Sequence, residues 1–283
     1  MRTLMLQSPR MVGLDVSAWQ HFLTVQGVFS DVVDGIYGPA SAQGTRGYQI
    51  SKGLSVDGIV GVGTFSQAVR DGFQAPAGRV AVSGMDAEVD CTPFTSCIAT
   101  AGMKFVVRYY SNSSSKNLSR AEAVALSNAG LQVAVVYEDF SELKFLSSTF
   151  GDHNAAKALQ LASEIGQPAG SAIYFAVDFD PALADVQGPV TDYFSAVGKA
   201  LAVAPTRYAV GVYGSGLTCR IIRDAGLATF TWLTGSAGFR ESDKFRPQAH
   251  LLQVAPERTI CNGKLSIDAD IAQSDNFGAF RVA

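Results

Sequence analysis

Hydrophobic positions recur with two different periods along the chain. Up to about residue 73 the period is helical. Val16, Trp19, Phe22 and Leu23 fall on one face of a first helix that Asp15 can cap. A second helix is predicted over 40–52, weakened by Gly44 and Gly47 at about 1 kcal/mol each. A third, short one runs to Val69 with Thr64 as its cap. The motif Asp-Gly-Ile-x-Gly precedes both later helices, at 34–38 and again at 57–61. Each Asp-Gly turn supplies a residue for φ > 0, and the two copies predict a pseudo-symmetric three-helix unit. Residues 74–83, rich in Ala, Gly and Pro, read as a linker.

From residue 84 the pattern changes to short apolar runs separated by helical stretches. Strands are predicted over 84–88, 105–110, 132–138, 171–178, 208–213, 229–233, 250–254 and 266–271. Helices fit over 119–129, 154–166, 190–204 and 217–225, the first opened by a Ser119/Glu122 capping box. Strands followed by helices argue for a parallel sheet. Eight of them argue for an α/β fold of the (β/α)8 TIM-like type, irregular in its last units, where the connections are too short for full helices. The expected architecture is a small all-α domain over 1–73 and a barrel over 84–283.

Composition narrows the function. The chain has 283 residues, 47% hydrophobic and 17% charged, enough to bury a sizeable core. The net charge of −3 argues against a nucleic-acid partner. No apolar run approaches the ~18 residues of a membrane span, so no membrane insertion is expected. The N-terminal residues lack the apolar run of a signal peptide, so synthesis in the cytoplasm without export is expected. Cys91, Cys97, Cys219 and Cys261 lack C-x-x-C spacing and nearby paired histidines, so neither a metal nor another cofactor is expected. Free buried thiols are favoured over an isolated disulfide such as Cys91–Cys97.

The C-terminal ends of barrel strands are where such folds keep their chemistry. Asp86, Glu138, Asp178, Asp180 and Asp268 fall there, and Asp270 lies two residues on, with an inward or outward direction left open. Acidic groups in apolar strands are costly unless paired or hydrated, and neighbouring carboxyls push their pKa values apart. One protonated and one ionised carboxyl is what glycosidic cleavage needs. Arg108 fits either of two roles, holding a carboxylate ionised for the substrate or serving as a structural partner of Glu138 or Asp86. Tyr110, Tyr174, Tyr213 and Trp232 offer apolar faces for sugar rings.

Two resemblances sharpen this. Residues 6–73 resemble the peptidoglycan-binding domain type 1. The residues that carry it are Ser8, Pro9, Met11, Gly13, Asp15, Val16, Gln20 and Leu23, then D-G-I-Y-G-P at 34–39, Y-Q-x-x-x-G-L at 48–54, and D-G-I-V-G-x-x-T at 57–64. The resemblance implies binding to bacterial peptidoglycan in a groove near Tyr37, Tyr48 and Gln49. Residues 84–283 resemble the glycoside-hydrolase-like barrel once listed as DUF1906, a relative of the family 25 lysozymes. G-M-D at 84–86, V-V-R-Y-Y at 106–110, A-G-L at 129–131, Y-E at 137–138, I-Y-F-A-V-D-F-D at 173–180 and V-G-V-Y-G at 210–214 carry it. Asp86, Asp178, Trp232 and Asp268 fall where those lysozymes keep functional residues. Asp180 stands where they place a proton-donating glutamate, and Glu138 is the alternative acid.

Together the halves imply a monomeric muramidase resembling a bacteriophage endolysin, made in the host cytoplasm and released to the wall. Two alternatives are a catalytically silent wall-binding protein and a peptidoglycan amidase or peptidase. For a thiol mechanism, Cys219 with His250 is the one loose candidate pair.

Overall fold

A computed structural model describes residues 2–31, 33–73, 82–236 and 238–283. The predicted linker falls almost wholly outside them. The chain separates into two compact units, Met1–Ser83 and Gly84–Ala283.

The first unit holds α1 (Leu14–Val25), α2 (Pro39–Ser51) and α3 (Val62–Arg70). Trp19, Phe22, Leu23, Tyr37, Tyr48 and Phe73 pack at its centre. Gly13, not Asp15, precedes α1, and Asp15 instead pairs with Arg2 at 2.8 Å. Gly61, not Thr64, precedes α3. The repeat is explained by two equivalent glutamine clamps. Gln20 Oε1 accepts from Gly35 N at 2.7 Å, while its Nε2 donates to Asp34 at 2.7 Å, Ser41 at 2.9 Å and Ile36 O at 3.1 Å. Gln49 Oε1 accepts from Gly58 N at 2.9 Å, while its Nε2 donates to Asp57 at 2.7 Å, Thr64 at 3.0 Å and Ile59 O at 3.0 Å. Each clamp holds an Asp-Gly turn whose glycine has φ near +70° (Gly35 69°, Gly58 72°).

This corrects the expectation of a binding groove at Tyr37, Tyr48 and Gln49. All three side chains are fully buried. Tyr37 donates to Gly58 O at 2.9 Å and Tyr48 to Asp71 at 2.7 Å. Their polar tips satisfy the fold's own turns and are not presented to a ligand.

The second unit is a closed eight-stranded barrel: β1 (Val82–Asp86), β2 (Phe105–Tyr110), β3 (Gln132–Tyr137), β4 (Ala172–Ala176), β5 (Ala209–Gly214), β6 (Phe230–Leu233), β7 (Leu251–Ile260) and β8 (Leu265–Ala272). Helices at Arg120–Asn128, Ser148–Ile165, Thr191–Val203 and Gly216–Asp224 alternate with the middle strands. Neighbouring strands from β1 to β7 pair in parallel, and β8 returns antiparallel to β7 through a tight hairpin. That hairpin is the irregularity the short final connections predict.

Tyr174 fills the barrel so closely that a Cβ on Gly211 would lie 2.4 Å from its ring. Phe277 packs against Phe105 with ring centroids 4.8 Å apart and planes tilted by 53°, and accepts the Tyr174 hydroxyl at 2.7 Å through its backbone carbonyl. A disulfide joins Cys97 to Cys261 in the β7–β8 turn, across 164 residues of sequence, while Cys91 and Cys219 are free and buried. Neither the free-thiol expectation for all four cysteines nor the Cys91–Cys97 pairing holds. No helix among the described residues is long and apolar enough to cross a membrane.

Candidate active site at the carboxyl ends of the strands

Strand alternation decides which side chains reach the barrel mouth. On β2, Tyr109 points in and Arg108 and Tyr110 point out. Tyr109 donates to Asp86 Oδ1 at 2.8 Å. Arg108 is fully buried behind the strand, donating to Glu122 Oε1 at 2.6 Å and to the Ala87 carbonyl. Tyr110 donates outward to Gln167 at 2.8 Å. Neither Arg108 nor Tyr110 is therefore placed to touch a substrate. Glu122 completes only half of the expected capping box: Ser119 caps its N–H at 3.1 Å, but its carboxylate is diverted to Arg108.

Asp86 is the centre of the site. It is 3% exposed, and burial first, then the neighbouring Asp268, push its carboxyl up to about 7. Gln253 on β7 donates to Asp86 Oδ2 at 3.1 Å and to Asp268 Oδ2 at 3.3 Å. The Gln253 carbonyl accepts the Tyr213 hydroxyl at 2.8 Å and Gly235 N at 3.2 Å. Below, Trp232 Nε1 donates to Asp270 Oδ1 at 2.9 Å. Asp270 Oδ2 is buried, and among the described residues no conventional donor faces it. Burial and the adjacent Asp86 hold the Asp270 carboxyl well above the usual range. A proton on Asp270, shared with Asp86, satisfies that oxygen.

The rim carries the more accessible carboxyls. Glu138 follows β3 and its pKa is raised, first by desolvation and also by Asp178, against the pull of Lys116 at 3.3 Å. Asp178, two residues beyond β4, is exposed, and its pKa is raised by partial desolvation against the pull of nearby polar and charged groups such as Lys116. Lys116 also lies 4.8 Å from the Tyr109 ring centroid. Asp180 stands apart from the cluster. Arg240 grips it with Nη1 at 2.5 Å and the backbone N–H at 2.9 Å.

The structure thus gathers Asp86, Glu138, Asp178 and Asp268 with Tyr213. It ties Asp180 elsewhere and sets Trp232 and Tyr174 in the packed interior as supports. Tyr109, Gln253, Asp270 and Lys116 are the members that the sequence reading passed over or left open. For Tyr109 and Gln253, strict alternation from Asp86 and Leu251 is the signal that points inward.

Cys219 does not suit a nucleophile. It is fully buried, burial pushes its thiol up to about 12, and its sulfur faces the carbonyls of Gly214 at 3.7 Å and Trp232 at 3.6 Å. His250 Nδ1 faces the Thr231 hydroxyl at 3.1 Å. Among the described residues, no group of three or more His, Cys, Asp and Glu side chains is arranged to hold a metal ion.

Comparison with known proteins agrees with both halves. A peptidoglycan-binding domain matches residues 12–67, and the Rv2525c-like, glycoside hydrolase-like domain matches residues 96–272. The Bacillus subtilis protein YbfG is 31% identical over 157 residues, 53% of this chain and 21% of YbfG. FadG of the same organism is 27% identical over 146 residues, 49% of this chain and 25% of FadG. The chain therefore spans about a fifth to a quarter of these relatives. Among solved structures, Mycobacterium tuberculosis Rv2525c aligns over 70% of this chain and 98% of its own, with TM-score 0.59 and 22% identity. The Streptococcus pneumoniae autolysin LytC aligns over 70% of this chain and 48% of its own, with TM-score 0.51 and 12% identity, a likeness of fold. Rv2525c is a Tat-secreted protein, which overturns the expectation of cytoplasmic synthesis without an export signal. With its barrel matched from the helix after β1 into β8, the chain belongs to the Rv2525c-like, glycoside hydrolase-like family.

Proposed function

We propose that the chain is an exported cell-wall glycosidase that binds peptidoglycan through its first unit and hydrolyses the glycan strand, as a muramidase, at the barrel mouth. The observation that carries this reading is the Glu138–Asp178 pair on neighbouring strand ends, where desolvation and the Asp178 charge raise the Glu138 carboxyl beside a more solvent-facing Asp178. Glu138 donates its proton to the glycosidic oxygen. Asp178, drawn toward its ionised form by the Lys116 charge, stabilises the oxocarbenium ion or activates water. Asp268 and the proton-sharing Asp86–Asp270 pair supply negative field from below. An endolysin and a bacterial wall enzyme would perform the same chemistry, and the secretion of Rv2525c favours the second.

A second reading, a barrel that binds wall glycan without cutting it, is favoured by one observation. Asp180, at the position of the lysozymes' proton donor, is held by Arg240. Digestion of purified peptidoglycan, with new reducing ends and new free amines followed in parallel, separates the readings. Reducing ends alone support the glycosidase; neither product with wall binding intact supports the silent barrel. Amines alone would overturn both.

A further inference from the structure

The loop after β2 folds back on the strand it has just left. Leu118 N donates to Tyr109 O at 2.9 Å. Asn117 bonds Ser111 in both directions, accepting from its N–H at 2.6 Å and donating to its carbonyl at 3.0 Å. From the end of β3, Asp139 accepts from the Ser111 hydroxyl at 2.6 Å and from Asn112 N at 2.7 Å. These ties fasten a loop, Ser-Asn-Ser-Ser-Ser-Lys-Asn over 111–117, that has no apolar side chain to anchor it.

The long side chain of that loop is Lys116, and the fold-back lays it over the site. Its ammonium lies 4.8 Å from the Tyr109 ring centroid, 3.3 Å from Glu138 Oε1 and 3.7 Å from Glu88 Oε1. The Lys116 and Glu138 side chains are only 19% and 22% exposed, so this pair is screened less than an open surface ion pair. The ring face attracts the charge and fixes its place, while the hydroxyl of the same tyrosine holds Asp86. An ammonium only donates hydrogen bonds. The Glu138 oxygen that faces it therefore does not carry the acid proton, which falls to Oε2. When that proton leaves, the carboxylate forms beside a cation already in place, with no rearrangement needed.

We infer that Lys116 is the positioning residue of the rim acid: it reserves Oε1 of Glu138, so that Oε2 carries and delivers the proton, and it balances the carboxylate that delivery leaves behind. This rests on the glycosidase reading and adds to it the group that prepares the acid.

The surrounding charges give the role a signature. Glu138 is faced by Glu88 from beyond β1, Tyr109 from β2, Asp178 from beyond β4 and Tyr213 from β5. Burial raises both tyrosine hydroxyls, so they stay neutral. Burial, Asp178 and Glu88 oppose ionisation of Glu138, and Lys116 favours it. Lys116 also draws Asp178 toward its ionised form. Removing the cation raises both carboxyls. The reaction needs Asp178 ionised, which sets the acid limb of its pH profile, and Glu138 protonated, which sets the alkaline limb. Both limbs then move to higher pH.

The test compares the full wild-type chain with Lys116→Met and Lys116→Arg. Carbon-13 NMR titration follows the Glu138 carboxyl, and reducing-end release from purified peptidoglycan is measured across the same pH range. Met keeps an apolar stem on Tyr109 and removes the charge. In Lys116→Met, Glu138 should titrate higher and both limbs should move up. The peak rate should fall roughly tenfold, the low end of what a hydrogen bond to a charged group is worth. Lys116→Arg keeps the charge and should hold both limbs near wild type. A rate lowered equally at every pH, with neither limb moved, is the mark of a merely structural lysine and would overturn the role. Hydrolysis by wild type with an unmoved Glu138 titration in Lys116→Met would remove the role of Lys116 alone. An upward shift of that titration without hydrolysis by wild type would remove the muramidase and leave the hold of Lys116 on Glu138 standing.

Discussion

Gln253 Nε2 donates to Asp86 Oδ2 at 3.1 Å, linking the seventh strand to the first across the intervening eighth. The bond favours the ionised form of Asp86 and opposes the burial that pushes it up to about 7. Gln253→Leu should therefore raise the Asp86 carboxyl further. It also leaves the Gly235 N–H unpaired and the Tyr213 hydroxyl with only Thr234 at 3.2 Å, for a total loss of about 1–3 kcal/mol of stability. Carboxyl-carbon NMR titration and a denaturant melt read the two effects. A lower Asp86 pKa in the variant would refute the arrangement.

Asp86 and Asp270 predict an unusual pH dependence. Unfolded, each carboxyl titrates near its ordinary value of 3.8; folded, Asp86 titrates near 7 and Asp270 well above the ordinary range. Between those values the folded protein binds more protons than the unfolded one, so stability falls as pH rises. The contribution of Asp86 is complete below its unfolded value and is lost as pH passes through about 7. Asp270→Asn should flatten the fall, leaving the variant relatively more stable above pH 7 by about 1–3 kcal/mol. Melting curves from pH 4 to 8 check this, and parallel profiles for wild type and variant would contradict it.

The disulfide Cys97–Cys261 closes a loop spanning 164 residues. Its reduction should cost about 2–5 kcal/mol of stability. Peptide mapping should find this pair and leave Cys91 and Cys219 alkylatable only after unfolding. Recovery of a Cys91–Cys97 peptide would overturn the assignment.

In the first unit, Gln49→Ala removes a buried hub of five hydrogen bonds. It should destabilise the unit by about 2–4 kcal/mol and lose wall binding through unfolding. A variant that keeps its circular dichroism but loses binding would return Gln49 to the ligand groove.

Much of this was legible beforehand because strand position depends on short apolar runs, which the sequence displays directly. The direction of side chains within a strand doubly covered by core and helices is harder. In β2 every residue from Phe105 to Tyr110 is buried, so polarity alone does not separate Tyr109, which reaches the site, from Arg108, which turns to Glu122. Long-range partners carry no local mark either. Arg240 neutralises Asp180 from 60 residues away, and Cys261 pairs with Cys97 across the barrel. The polar tips of Tyr48 and Gln49 invite a ligand when read alone. Only the folded turns reveal that they are already satisfied.

The central claim is that Glu138, not Asp180, delivers the proton. Reducing-end release from purified peptidoglycan by wild type, Glu138→Gln and Asp180→Asn tests it most directly. The account predicts that Glu138→Gln loses about 10²–10⁴-fold in rate while keeping its affinity for the wall, and that Asp180→Asn stays within a few-fold of wild type. Full activity in Glu138→Gln, with collapse in Asp180→Asn, would contradict it.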